Sequence, residues 1–158
     1  MGSIQPPAKR SINEKDISAL RSLVKRTKTK VLSHSDEGYS TSIERWSRAA
    51  EKPAGVAIVP SSPEDVSIAI KYATEQNIDV AVKGGGHSTA GASSTNGGLL
   101  IDLGGGLRYV KIDVEKELLH VGGGALWGDV DEAAWEHGLA TVGGTIADTG
   151  VGGLTLGM

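Results

Sequence analysis

The chain has 158 residues, no cysteine, no phenylalanine and a net charge of −3 at pH 7. That length supports one ordinary domain with a core of Val, Ile, Leu and Ala, and the missing cysteine removes disulfides, thiolate catalysis, thiolate zinc sites and any cysteinyl cofactor link. Eight of the 16 basic residues but only two of the 19 acids fall in the first 30 positions, so the body is acidic and argues against a nucleic-acid partner.

Met1 to Arg10, with Pro6 and Pro7, lacks the apolar centre of a signal peptide and reads as a leader. No apolar run is long enough for a transmembrane helix, so the expectation is a cytoplasmic protein without membrane contact. Ser11 followed by Glu14 is a capping-box pattern, and Ile17, Leu20 and Val24 share one face, which predicts a helix from about Asn13 to Lys28. Val31 to Arg48 is polar and reads as irregular, with Tyr39 and Trp46 as anchors.

Ala54 to Val59, between Pro53 and Pro60, predicts a short buried strand. Ser62 as N-cap, Pro63 at the first helical position and Asp65 then open a helix with Val66, Ala69, Ile70 and Ala73 as its buried stripe. Val80 to Lys83 is the next strand and closes a β-α-β unit, expected to cross over right-handed into a parallel pair. Gly84 to Ser88 therefore falls at the carboxyl end of a parallel strand, where open α/β sheets bind ligands.

Asn96-Gly97-Gly98 is a turn, Leu99 to Leu103 a third strand and Gly104 to Gly106 a break. Tyr109 to Asp113 and Glu117 to Val121 alternate about Val114-Glu115-Lys116 as an antiparallel hairpin does. Leu126, Val130, Ala133 and Ala134 mark an amphipathic helix that carries Trp127 and Trp135 and ends near His137, with Gly138 as left-handed cap. Gly143 to Gly157 reads as another glycine-rich loop. Of the 23 glycines, 20 lie between Gly84 and Gly157, clustered at element ends, which favours ligand-facing loops over a low-complexity linker.

Several chemistries fail letter by letter. Thr89 and Trp127 stand where a dinucleotide fingerprint needs its third glycine, no P-loop is present, and Gly91-Ala92-Ser93-Ser94-Thr95 lacks the last glycine of a nucleophile elbow. His34, His120 and His137 read as structural, and no histidine spacing suggests a metal. His87 alone follows three glycines, whose backbone N–H groups suit a phosphate or pyrophosphate; a surface histidine on a flexible turn is the competing reading. Asp102 and Asp148 read equally as polar structure or as cofactor contacts.

Lys83-Gly84-Gly85-Gly86-His87-Ser88, Ile101-Asp102-Leu103, Val121 to Asp129 and Gly143 to Gly157 together resemble the FAD-binding domain of the vanillyl-alcohol oxidase and p-cresol methylhydroxylase (PCMH) superfamily. Within it the berberine-bridge-enzyme-like FAD-linked oxidoreductases are the most similar branch, and the likeness runs from about Tyr39 to Met158. The fold this resemblance implies is α+β, with two α/β subdomains of a PCMH-type domain. Residues 1–30 are a leader and helix, 31–104 a first subdomain with a small parallel sheet flanked by helices. Residues 105–158 are a second subdomain that begins with an antiparallel hairpin and is incomplete.

The resemblance implies FAD as cofactor, with Lys83, Gly84, Gly85, Gly86, Ser88 and Gly91 around its pyrophosphate and His87 bonded covalently to the flavin 8α-methyl. Thr145, Asp148, Thr149, Gly150, Gly152 and Gly153 match a second FAD-contacting loop. Ile146 falls near the position of the cysteine that forms a second flavin bond in bicovalent members, so only the histidyl link is available. The family's acid–base residues lie in hundreds of further residues, and no catalytic residue is expected in this chain. The implied activity is hydride transfer from a small organic substrate to flavin, with O2 as acceptor. Its rivals are a truncated, inactive flavin-binding or interaction remnant and a noncovalent FAD-binding subunit.

Overall fold

The structure is a computed structural model that describes residues 8–157. Of the expected leader, residues 1–7 lie outside the described residues. Arg10 is tied down, its N–H donating to Asn77 O at 2.9 Å in a bridge beside Ile78.

The first helix, α1 (Glu14–Leu23), starts later and stops earlier than the apolar spacing predicts. Asn13 rather than Ser11 is its N-cap, accepting from the N–H groups of Lys15 and Asp16, and Asp16 rather than Glu14 closes the box. After Val24 the chain runs through turns as far as Thr29 and into β1 (Lys30–Leu32), a strand inside the stretch expected to be irregular. α2 (Tyr39–Ile43) and a single 3-10 turn (Arg48–Ala50) follow, and then β2 (Val56–Val59). α3 (Pro63–Glu75) has the Ser62 cap and Pro63 start that were expected, with Ser62 Oγ accepting from Asp65 N at 3.2 Å. Its buried stripe is Asp65, Ala69 and Ala73, flanked by Val66 and Tyr72, while Ile70 is exposed.

β3 (Val80–Lys83) and β4 (Leu99–Asp102) complete a four-stranded sheet in the order β1-β2-β4-β3. β2, β4 and β3 are parallel and β1 is an antiparallel edge, so the sheet is mixed. The expected direct pairing of β2 with β3 does not occur, because β4 lies between them. All four β4 residues are buried, and a strand apolar on both faces belongs in a sheet's interior. β3 exposes Val82 and takes the edge.

Alternation divides the core between the two sheet faces. Val56, Ile58, Leu99 and Ile101 pack on Ile17, Leu20 and Val24 of the α1 segment and on Ala69 and Ala73 of α3. Ala57, Ala81 and Leu100 face the other way, against Leu32, Tyr39 and Ala54. Tyr39 is the expected anchor, buried with its hydroxyl donating to Ala54 O at 2.6 Å; Trp46 is exposed and anchors nothing in the core. The second unit starts with the hairpin β5 (Val110–Asp113) and β6 (Leu118–Val121), followed by α4 (Trp127–Trp135). Gly138 takes the left-handed conformation at φ +67°. The final stretch is not all loop, since Val151–Thr155 forms a short helix, α5. Among the described residues no helix is long and apolar enough to cross a membrane, and no cluster of three or more potential metal ligands occurs.

Candidate functional site

The site forms where β3 and β4 end. Ala81 and Lys83 share the Leu100 face by alternation, and the register sets Lys83 opposite Asp102. The two side chains pair at 3.4 Å, and Lys83 Nζ also donates to the carbonyls of Thr41 (3.1 Å) and Ser42 (2.9 Å) at the end of α2. Asp102 Oδ1 accepts from Gly104 N at 3.2 Å, which turns the chain away from the sheet.

Below Gly86 lies Arg45, which the sequence reading did not single out. Its side chain is buried, with Nε donating to Ser93 Oγ at 3.1 Å and the other guanidinium nitrogens to the carbonyls of Ser42, Glu44 and Ser93. Burial pulls its pKa down, and the charges of Asp102 and Glu51 work against that fall. These acceptors are neutral, so Arg45 and Lys83 with one Asp102 carboxylate leave the floor beneath the glycine turn positive.

The four glycine blocks named from the sequence meet here, and much of their glycine content serves chain-on-chain contact. A Cβ on Gly85 would lie 2.5 Å from Gly150 N, one on Gly84 3.0 Å from Gly123 O, and one on Gly152 2.8 Å from Gly123 O. Gly124 is pressed against Leu103 O, leaving no room for a Cβ. The C-terminal loop is fastened to the start of α4 by Trp127 N to Thr149 O (3.0 Å), Gly128 N to Ala147 O (2.8 Å) and Val151 N to Ala125 O (2.9 Å). Bare backbone thus lets the turn after β3 seat on the second unit.

The turn itself leaves donors unused. Among the described residues, the backbone N–H groups of Gly85, Gly86, His87 and Ser88 find no protein acceptor, and Gly86 has φ +74°. Consecutive free N–H groups about a left-handed residue make an anion-binding concavity. The cradle therefore fits a pyrophosphate. His87 follows it, half-buried, with Nε2 3.2 Å from Asp148 Oδ1 and its ring stacked on Trp46 at 5.5 Å between centroids and 20° between planes. Trp46 N donates to Gly86 O at 3.2 Å, so the indole is held beside the histidine by its own backbone.

The remaining expected residues divide. Ser88 Oγ accepts from Ala92 N at 3.3 Å and shapes the following turn, while Gly91 (φ +76°) lies beside Lys52 and Ala50. Thr149, Gly150 and Gly152 are in the contact region, and Gly153 follows in α5. Thr145 is exposed at the start of the loop. Trp46 was expected as a core anchor, and its adjacency to His87 has no sequence signal because the two residues come from separate segments.

Three comparisons agree. A family model described as an FAD binding domain matches residues 54–158. The FAD-linked oxidoreductase pgmH of Aspergillus terreus is 35% identical over 148 residues, covering 93% of this chain and 30% of that protein. The (R)-6-hydroxynicotine oxidase of Paenarthrobacter nicotinovorans is 30% identical over 122 residues, 77% of this chain and 26% of that protein. The crystal structure of 6-hydroxy-D-nicotine oxidase from Arthrobacter nicotinovorans superposes with a TM-score of 0.74 at 26% identity, covering 78% of this chain and 27% of that one. Glucooligosaccharide oxidase from Acremonium strictum, described as carrying a 6-S-cysteinyl, 8α-N1-histidyl FAD, shares the fold at a TM-score of 0.78 and 23% identity, over 90% of this chain and 30% of that one. The chain thus spans about 30% of the length of the relatives it matches.

Proposed function

This chain belongs to the FAD-binding domain family of the PCMH-type, berberine-bridge-enzyme-like FAD-linked oxidoreductases, and from that premise we propose that it holds FAD through a single covalent bond to His87. The row of free N–H groups from Gly85 to Ser88, running into an oriented imidazole, is the observation that carries the reading. Those amides hold the pyrophosphate, with Lys83 and Arg45 supplying positive potential from beneath. Ser88 and Gly91 shape the exit of the turn. Thr145, Asp148, Thr149, Gly150, Gly152 and Gly153 form the opposite wall, and Ile146 offers no second bond to the flavin.

Bound FAD supplies two-electron chemistry, accepting hydride from a small organic substrate and passing electrons to O2. The protein's share is placement: residues 31–104 form one wall and 105–158 the other. The acid–base groups at the reacting carbon belong to sequence beyond this chain, so the chain binds and orients flavin without turning over substrate alone.

Expression with FAD available, acid denaturation and intact mass measurement test the reading. The expected result is a flavin adduct on the tryptic peptide that contains His87, lost in His87→Ala. Flavin that is fully extractable by acid from the wild-type chain would support the noncovalent rival, and no flavin at all would support an inert remnant.

A further inference from the structure

We propose that Asp148 and Trp46 are positioning residues that seat the His87 imidazole, with Asp148 keeping the ring proton on Nε2 so that Nδ1 is the atom that bonds flavin; the proposal rests on the covalent reading above. The three side chains come from segments far apart in sequence: the loop after α2, the turn after β3 and the loop before α5. Neither partner has an evident structural task. Trp46 is 65% exposed, and the Asp148 side chain is 60% exposed. An ion pair so open to water contributes about 0–1 kcal/mol to stability. What the two contacts do is restrict the ring.

The restriction is built from both sides. Trp46 N–H is fixed to Gly86 O, so the indole covers one face of the imidazole. Ala147 O and Thr149 O, on either side of Asp148, are bound to Gly128 N and Trp127 N at the start of α4, which aims the carboxylate at the ring edge. A neutral imidazole has one N–H and one lone pair, and a carboxylate only accepts. With Asp148 Oδ1 3.2 Å from Nε2, the proton sits on Nε2 and the lone pair on Nδ1.

The bond-forming step then balances. The Nδ1 lone pair forms the bond to the 8α carbon; a C–H bond there breaks, its proton leaving to solvent and its electron pair entering the flavin ring. The imidazole passes its Nε2 proton to Asp148. Dioxygen takes up the two electrons and two protons as hydrogen peroxide.

Two measurements on the full 158-residue chain test this. Nitrogen-15 NMR of the histidine-labelled, cofactor-free chain, with His87 identified by its loss in His87→Ala, should report an Nε2–H tautomer and upfield ring protons. Trp46→Leu should abolish the upfield shift and Trp46→Phe restore part of it, while Asp148→Ala should move the ring toward the free-imidazole pattern. The rate of flavin attachment, read by intact mass, should fall about tenfold in Asp148→Ala, the scale of one charge-assisted hydrogen bond. Asp148→Asn should keep the ring orientation yet attach flavin slowly, since an amide cannot take the proton. Attachment at the wild-type rate in Asp148→Ala overturns the proposal. A wild-type chain that acquires no flavin overturns the covalent reading instead, and the imidazole resonances then decide the seating: indifference to both Asp148→Ala and Trp46→Leu overturns it.

Discussion

The four-stranded sheet and the β5-β6 hairpin are held in place by different physics. Both faces of the sheet are covered, and the two buried apolar clusters lie within residues 17–101. No hairpin strand residue is fully buried, and α4 adds only Trp127, Val130 and Ala134 to the interior. Trp135, Val142, Ile146, Leu154 and Leu156 are left exposed nearby. The second unit keeps its place chiefly through backbone contact at Gly84, Gly85, Gly123, Gly124, Gly150 and Gly152. The candidate site therefore has one rigid wall, from the sheet, and one wall with a low barrier to opening.

The largest test of that contrast is Ile101→Ala in the centre of β4. Ile101 is fully buried, so a cavity there should cost about 2–5 kcal/mol in urea unfolding. Val130→Ala in α4 should cost clearly less, and an equal loss would break the comparison. Next in size is Gly150→Ala, which drives a methyl into the backbone of Gly85. Overpacking of that kind costs about 1–3 kcal/mol. Hydrogen exchange should quicken at the Leu126–Gly150 bridge and leave β4 protected; faster exchange in β4 would show that the two walls unfold together.

The same contrast explains what the sequence disclosed. α3, β4, the hairpin and the Gly138 cap are legible because their signals are local: a Ser-Pro start, an apolar run between glycines, period-2 alternation, a glycine after a periodic segment. β1 has three residues and no period to read; it exists because β2 offers it an edge. The strand order likewise depends on which strand is buried on both faces, a tertiary outcome. In the site, the Gly84–His87 turn was legible, but its supports were not. Arg45 finds its acceptor Ser93 at a separation of 48 positions, and Trp46 finds His87 only after α2 packs on the sheet. Nor do clustered glycines say whether they face a ligand or another chain segment. Gly85 and Gly150 face each other.

Within the sheet region, Asp16 provides a pH-dependent test. Its carboxylate accepts from Arg10 at 2.7 and 2.8 Å, from Tyr72 Oη at 2.8 Å and from Asn13 N at 2.9 Å, joining the start of α1 to α3. The Arg10 contact, helped by Asn13 and Tyr72 against the opposing effect of burial, lowers its pKa from 3.8 to about 2. A depressed folded pKa gives stability that is present above the unfolded value and lost as pH falls toward the folded one. About 2 kcal/mol should disappear between about pH 4 and pH 2. The urea midpoints of wild type and Asp16→Asn should therefore differ near neutrality and converge at the acid end; a constant gap would sink the assignment.

The smallest expected effect is the most pointed for the second unit. Trp135 is 82% exposed on α4, next to a loop that displays Val142 and Ile146. If the unit really draws so little from apolar burial, Trp135→Ser should shift the unfolding free energy by no more than about 0.5 kcal/mol, as surface changes away from packed features do. It should also reduce self-association by trimming an exposed apolar patch. A loss above about 1 kcal/mol would mean that this indole packs on something within the chain. The hairpin unit would then own a core, and its hold on the glycine turn would have to be reassigned from backbone contact to side-chain burial.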